Sequence, residues 1–511
     1  MPVITGTEGN DNLLGTPGDD QISGGGGDDV IDALAGNDTV YWRTIGDGNE
    51  GFDRINGGAD FDTMFAEIQR YRFRLGRFDP ALPGEVVLQR SRPGDGNTFI
   101  DQFSIANMEA LTFSFTGPLY DQASLQIGDL NGTGITGTII VNGSTAFPHF
   151  SHDPYGFVFT IDPLNHNPVV VLGSSGQDSL HGGAGNDVLQ GGDGNDQLDG
   201  GGGANELSGG AGDDTYLNVT HFDTVIDGGP GHDTIYTAET FWTLSDGIDD
   251  INFTSNGDVT ATGNAGANRM TSLGGNDHLI GLGGDDYLYA GGGTANTLEG
   301  GQGNDTYIVE TPGDVVVEAA NEGIDQVFTT IASYTLPANV ENLGTQKAGT
   351  FLGTGNELAN IITASGPAQS HLLGLGGDDQ LTTGAGNDIL EGGVGADVLT
   401  GGNGGDELSG GTGADRFVLA GDLQQDLLHD FTRAEGDKID LRTFMAARGL
   451  TGTDVFAAGY IVLEHVDNHP AGPLTFVRFD PDGSAGPAAA TTSLLIAFGA
   501  DPLVSSDFII F

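Results

Sequence analysis

The chain has 511 residues, 89 of them glycine, and sets 16 lysines and arginines against 72 aspartates and glutamates for a net charge of −56. So acidic a balance excludes DNA and RNA as partners, because phosphate contacts need clustered basic side chains and Lys347 and Lys438 are the only lysines. Cysteine is absent, which excludes disulfides and thiolate metal sites, and no apolar run reaches the roughly 18 residues that argue for a membrane-spanning helix.

A recurring unit of nine residues, G-G-x-G-x-D-x-U-x with U apolar, appears at once. Residues 1–65 form a first array, Gly6–Tyr41 and Gly48–Phe65, with sixth-place Asp11, Asp20, Asp29, Asp38, Asp53 and Asp62 ahead of Leu13, Ile22, Ile31, Val40, Ile55 and Met64. The opening MPVITGTEGNDNLLG carries neither the basic region nor the apolar run of a cleaved secretory signal, so any export is expected to rely on another part of the chain.

Residues 66–172 break the pattern and read as a β-rich insertion. Alternating stretches such as RYRFRLGRF, GEVVLQRS and NMEALTFSF predict several strands and no long helix. Arg70, Arg72, Arg74, Arg77, Arg90 and Arg92 gather there, and solvated strand faces that offset nearby acidity are the simplest account of them. Leu119–Leu172 is the least repetitive part of the chain.

Residues 173–236 hold five copies in unbroken phase from Gly173 to Leu217, then one at Gly228–Tyr236. Their sixth places are Asp178, Asp187, Asp196, Asn205, Asp214 and Asp233, and Gly182, Gly183, Gly185, Gly191, Gly192 and Gly194 show the glycine pattern in full. Residues 237–308 read as a spacer and a third array, with Asn268, Asp277, Asp286, Asn296 and Asp305 at sixth places and Ala290 inserted.

Residues 309–363 read as a spacer in which Asp325-Gln326-Val327 and Val340–Leu343 look like strands that continue the repeat with larger turns. Residues 364–418 are the fourth array, with Asp379, Asp388, Asp397, Asp406 and Asp415; Thr383 stands at a first place that most repeats give to glycine. Residues 419–511 change character. Asp480 and Asp482 form a D-x-D-G run that suits either a short calcium cage or a simple turn, and the ending SSDFIIF reads as a strand or as an export signal.

Each place in the unit has a chemical reason. Glycines let the backbone turn so tightly that carbonyl oxygens converge, and the aspartate adds carboxylate oxygens. Such hard donors suit calcium, which accepts many oxygen ligands in irregular geometry. The apolar residue two places later lies in the short strand that follows the turn, where side chains alternate, and is expected in the core. A fixed short period predicts a solenoid, here an all-β parallel β-roll whose arrays stack with β-strand spacers and end in a β-rich capping domain. Many calcium ions are expected, with the asparagine-bearing repeats weaker.

With these nonapeptides in place, the chain resembles the RTX, or hemolysin-type calcium-binding, family of Gram-negative bacteria. Gly410–Leu441 resembles the C-terminal domain of serralysin-type metalloproteases, and Asp507–Phe511 is similar to the family's terminal export signal. The resemblance implies type I secretion from a calcium-poor cytosol and folding on calcium outside.

No HExxH and no G-x-S-x-G occur; His149 with His152, and His465 with His469, have the wrong spacing for a zinc protease. The expectation is therefore a secreted, non-enzymatic structural protein of the cell surface, an S-layer-like lattice or the matrix, with surface polysaccharide or self-association as further contacts. Two alternatives stay open: an enzyme or toxin with an active site in 66–172, and a carbohydrate-binding adhesin using Trp42, Tyr155 and Phe157.

Overall fold

The computed structural model describes residues 1–43, 166–226, 229–345, 347–366, 368–419, 422–470, 472–481, 492–498 and 502–510, positions 163 and 483, and only the strands between 53 and 161. It is an all-β parallel solenoid; among the described residues the one α-helix is Arg442–Ala446. Two compact units divide the chain, Met1–Ser255 and Asn256–Phe511.

The nonapeptide dictates the local structure. Its glycine-rich half turns the chain, and the three residues around the apolar place are the shortest stretch that can form a strand. In the first unit Ser179–His181 pairs in parallel with Gln197–Asp199, matching Leu180 to Leu198, and Leu198 then matches Tyr216. The intervening strands, Val188–Asp193 and Glu206–Ala211, match Leu189 to Leu207 in a second sheet. Alternate repeats therefore lie on opposite sheets, and each repeat stacks on the second one after it. Between the sheets Leu180, Leu189, Leu198 and Leu207 are 0% exposed. Each such side chain contributes about 1.5–3 kcal/mol by leaving water, and none could do so without its stacked neighbours.

Residues 66–172 feed strands into these same sheets. Ile100–Ala106 pairs in parallel with Asp53–Asn56, and Ala110–Phe115 pairs in parallel with Thr63–Ile68 and with Ile139–Asn142. Arg72–Gly76, Val86–Ser91 and Ile100–Ala106 also form antiparallel pairs, a departure from the repeat. The side chains of the arginine cluster, of Trp42 and of Phe157, and all of Tyr155, His149 and His152, lie outside the described residues.

The second unit keeps the stack going through 309–363. Thr306–Val309, Gln326–Thr329, Asn342–Thr345, Ile361–Ala364 and Gln380–Thr383 pair in parallel, one after another. Val327 and Leu343 take the buried place there that the repeats give to leucine. At its end, Asp426–Leu428 pairs with Thr492–Phe498, which joins Leu474–Phe479 and Ile461–Val466 in antiparallel fashion. Lys438–Asp440 takes Phe508–Ile509 as its last parallel neighbour.

Candidate metal centre

The sixth-place aspartates are enclosed by the turns around them: Asp20, Asp29, Asp38, Asp53, Asp178, Asp187, Asp196, Asp214, Asp233, Asp277, Asp286, Asp305, Asp379, Asp388, Asp397, Asp406 and Asp415 are all buried, and Asp11 is half-buried. Asp62 and Asp482 lie outside the described residues. Asp480 is buried at the end of Leu474–Phe479, where its N–H donates to the Tyr460 carbonyl at 2.8 Å.

These aspartates form ladders. The backbone N–H of a sixth-place residue donates to a side-chain oxygen on the next turn of the same edge, in most cases an aspartate Oδ1: Asp178 to Asp196 and Asp196 to Asp214, both at 2.7 Å, and Asp214 to Asp233 at 2.8 Å. At the start of the chain Asp11 bonds Asp29, Asp29 bonds Asp53 and Asp20 bonds Asp38. In the second unit one ladder runs Asn268, Asp286, Asp305, Asp325 and on to Glu341. Others run Asn360, Asp379, Asp397, Asp415, Asp437, and Ser370, Asp388, Asp406, Asp426. Asp325, Asp426 and Asp437 join these ladders without the glycine pattern that marks the other ligands in the sequence. The signal they do carry is an aspartate with an apolar residue two places on, Val327, Leu428 and Ile439.

The second carboxylate oxygen decides what the ladder can hold. In Asp178 and Asp187 it accepts a local backbone N–H, from Ser174 at 2.5 Å and Gly183 at 2.9 Å. In Asp29, Asp196, Asp286, Asp305, Asp379, Asp397, Asp406 and Asp415 the Oδ2 atom is enclosed and receives no hydrogen bond. A carboxylate oxygen in that position leaves a large desolvation cost uncompensated unless a cation or a proton meets it.

The first-place glycines show what shape lies beside those oxygens. A Cβ on Gly191 would come within 2.1 Å of Asp196 Oδ2 and 2.6 Å of the Gly209 carbonyl oxygen, so oxygens from two stacked turns converge there. Gly182 faces Asp187 Oδ2 at 2.5 Å and the Gly200 carbonyl at 2.4 Å in the same way. Gly192 and Gly194 have φ of +119° and +117°, and a side chain on either would strike a carbonyl of the turn below, Ser174 or Gly176; Gly185 packs likewise on the Asn167 carbonyl. Carboxylate and carbonyl oxygens converging in this way fit a hard divalent cation such as calcium.

Among the described residues three first places depart from glycine, Ala33, Ser272 and Thr383. Ser272 donates its hydroxyl to Asp277 Oδ2 at 2.6 Å, and Val259 N–H donates to Oδ1 at 2.8 Å, so both oxygens of that carboxylate are engaged within the protein. The residue at 383 is threonine, and its hydroxyl donates to the Gly401 carbonyl at 2.6 Å. Two sixth-place asparagines do something similar with their amides: Asn205 Nδ2 donates to Asp223 at 2.8 Å and Asn296 Nδ2 to Asp314 at 2.9 Å.

Electrostatics follow from this packing. Burial first, then neighbouring carboxylates, pushes Asp196 up to about 8 and Asp286, Asp379 and Asp406 up to about 7. Burial raises Asp187, Asp305 and Asp415 to about 6. His465 is engaged with Thr475 at 3.1 Å and Asp467 at 2.8 Å, a hydrogen-bonded surface pair.

Comparison with known proteins agrees with this geometry. The family model for the RTX calcium-binding nonapeptide repeat (4 copies) matches residues 5–40, 47–68, 172–207, 190–217, 223–239, 262–295, 291–306, 371–399 and 400–422. The endo-1,3-1,4-beta-glycanase ExsH of Rhizobium meliloti (strain 1021) is 43% identical over 74 residues, which are 14% of this chain and 16% of that protein. The match thus spans about one sixth of the relative's length.

Proposed function

We propose that this chain, an RTX calcium-binding nonapeptide repeat protein folded as a β-solenoid, is a secreted structural protein that becomes rigid on meeting calcium outside the cell. The observation that carries the reading is the ladder of buried aspartates whose Oδ2 atoms lack donors beside converging carbonyls. Calcium supplies the positive charge and accepts the irregular oxygen cage. The chain's own residues do the rest: first-place glycines leave room, Oδ1 atoms tie each turn to an earlier one, and eighth-place leucines close the core.

Sites of this extracellular type have dissociation constants on the order of 0.1–1 mM, so they stay empty in the cytosol and fill outside it. Binding then drives folding by mass action. Export is assigned to the type I machinery, acting on the terminal Asp507–Phe511 segment, with the capping region serving as a serralysin-like C-terminal domain. At the surface the protein acts without catalysis, as lattice or matrix. Localising the native protein between medium and cell, before and after a chelator wash, tests this; a protein that stays in the cytosol overturns it.

The glycanase relative favours a second reading, in which the solenoid presents or binds polysaccharide. Glycan-array binding and β-glycan hydrolysis assays on the calcium-loaded chain separate the two. Calcium-dependent binding makes it an adhesin, turnover makes it an enzyme, and neither leaves the structural role.

A further inference from the structure

Glu318 lies outside every nonapeptide, in the stretch that the sequence reads as a spacer. The strand before it, Val315–Val317, pairs in parallel with Thr297–Glu299 and so carries Glu318 to the level of Gly300, the first place of the repeat that holds Asp305. Two further bonds fix it there. The Tyr307 hydroxyl, which accepts the Gly300 N–H at 2.9 Å, donates to Glu318 Oε1, and Asn339 Nδ2 donates to the Glu318 carbonyl at 3.0 Å.

We propose that Asp305, Asp325 and Glu318 form a calcium site of their own, in which the spacer supplies a carboxylate that no place in the nonapeptide provides. The proposal rests on the calcium reading above. One carboxylate oxygen from each of the three lies within 4.8 Å of the others. Two oxygens bound to one calcium ion at 2.3–2.6 Å are at most about 5 Å apart, so the three fall within the span that a single calcium ion bridges.

A cluster of acids alone would not make a site, but each of these acids brings an enclosed oxygen that receives no hydrogen bond. Asp305 and Asp325 are 1% and 0% exposed. Their Oδ1 atoms are already used by the N–H groups of Asp286 and Asp305, at 2.7 and 2.9 Å. The Oδ2 atoms of both, and Oε2 of Glu318, are enclosed and receive no hydrogen bond. Burial, then the charges of Asp325 and Asp305, pushes the Glu318 carboxyl up to about 9. The ladder thus does not pause at the spacer; it gains a ligand there.

The test is calcium stoichiometry of the full chain by native mass spectrometry and equilibrium dialysis, for wild type, Glu318→Gln and Glu322→Gln. Glu322 is a matched control, since it is nearby and of equal charge but engages the Ala319 N–H at 2.7 Å. Glu318→Gln is expected to lose one bound calcium, or to weaken one site tenfold or more, while Glu322→Gln keeps the wild-type count. Circular dichroism at saturating calcium checks that both variants are folded. If Glu318→Gln fails to fold, Glu318→Asp, which shortens the ligand but keeps the charge, is measured instead and should weaken the same single site. Equal stoichiometry and affinity in wild type and the Glu318 variant overturn the proposal, as does equal weakening by the Glu322 control. Wild type that binds no calcium overturns the broader reading instead.

Discussion

Asp178 and Asp196 stand on the same edge of the solenoid, and the backbone N–H of the first donates to Oδ1 of the second at 2.7 Å across 18 residues of sequence. Asp187 lies between them in sequence but belongs to the other edge, where its own N–H is held by Asn205 Oδ1 at 2.9 Å. Asparagine substitutions at 178 and 196 are therefore expected to be coupled by about 0.5–3 kcal/mol, and those at 187 and 196 to add within about 0.5 kcal/mol. Calcium-midpoint titrations of the single and double variants measure this; equal coupling in both pairs would argue against ladders confined to one edge.

Calcium removal should expand the chain. Without cations the net charge of −56 repels itself within closely stacked turns. Far-UV circular dichroism and small-angle scattering are expected to show a β-rich compact chain in millimolar calcium and an expanded one in chelator, with magnesium a poor substitute. A compact β-fold that persists in chelator contradicts this.

Acid should partly replace calcium. Unfolded aspartates titrate near 4, while burial holds Asp196 at about 8 and Asp286, Asp379 and Asp406 at about 7 in the folded chain. Between about pH 4 and 8 the metal-free fold binds more protons than the unfolded chain, so its stability falls as pH rises through that window and is regained as pH falls. In chelator, lowering the pH from 8 to about 5 is expected to increase β content; a metal-free chain equally unfolded at both pH values would be the contrary result.

Glycine size should matter by place rather than by number. Gly191→Ala puts a methyl group against Asp196 Oδ2 and the Gly209 carbonyl and is expected to cost about 1–3 kcal/mol and to raise the calcium midpoint. Gly18 has nothing within 4 Å of a Cβ, so Gly18→Ala is expected to leave both unchanged. For comparison, Leu198→Ala should cost about 2–5 kcal/mol by opening the core. Chemical denaturation in saturating calcium ranks the three.

The terminal strand should be anchored by one ion pair. Arg433 donates from Nε and Nη2 to the two carboxylate oxygens of the buried Asp507, at 2.8 and 2.7 Å. Burial alone would raise the Asp507 carboxyl, but Arg433 holds it below its ordinary value. Arg433→Ala is expected to cost about 1–3 kcal/mol and to speed hydrogen exchange at Phe508 and Ile509. Deleting Asp507–Phe511 should both retain the chain in the producing cell and loosen Lys438–Asp440; full secretion of the truncated chain would leave only the structural role.

The repeat places were readable because their chemistry is strict. An apolar residue two places after an aspartate sits in the core at Leu180 and again at Phe417, since strand alternation leaves it no other face. Asp325, Asp426 and Asp437 join the same ladders without flanking glycine pairs, and a reading keyed to glycine passes over them. Glu318 could not be found by spacing at all, because strand pairing brings it to Asp305 and Asp325. Thr383 shows the opposite effect: a break in the pattern whose hydroxyl settles on the Gly401 carbonyl.

The Oδ1 bonds also give the solenoid a polarity. Each turn offers its N–H to a carboxylate that comes later in the chain, as Asp379 does to Asp397 and Asp397 to Asp415, until Asp415 reaches Asp437. The backbone bonds of the same turns run the opposite way, Val398 N–H donating to the Asp379 carbonyl and Arg416 N–H to that of Asp397. A turn caught between two neighbours is thus held from both sides, and one at the edge of a stack from only one.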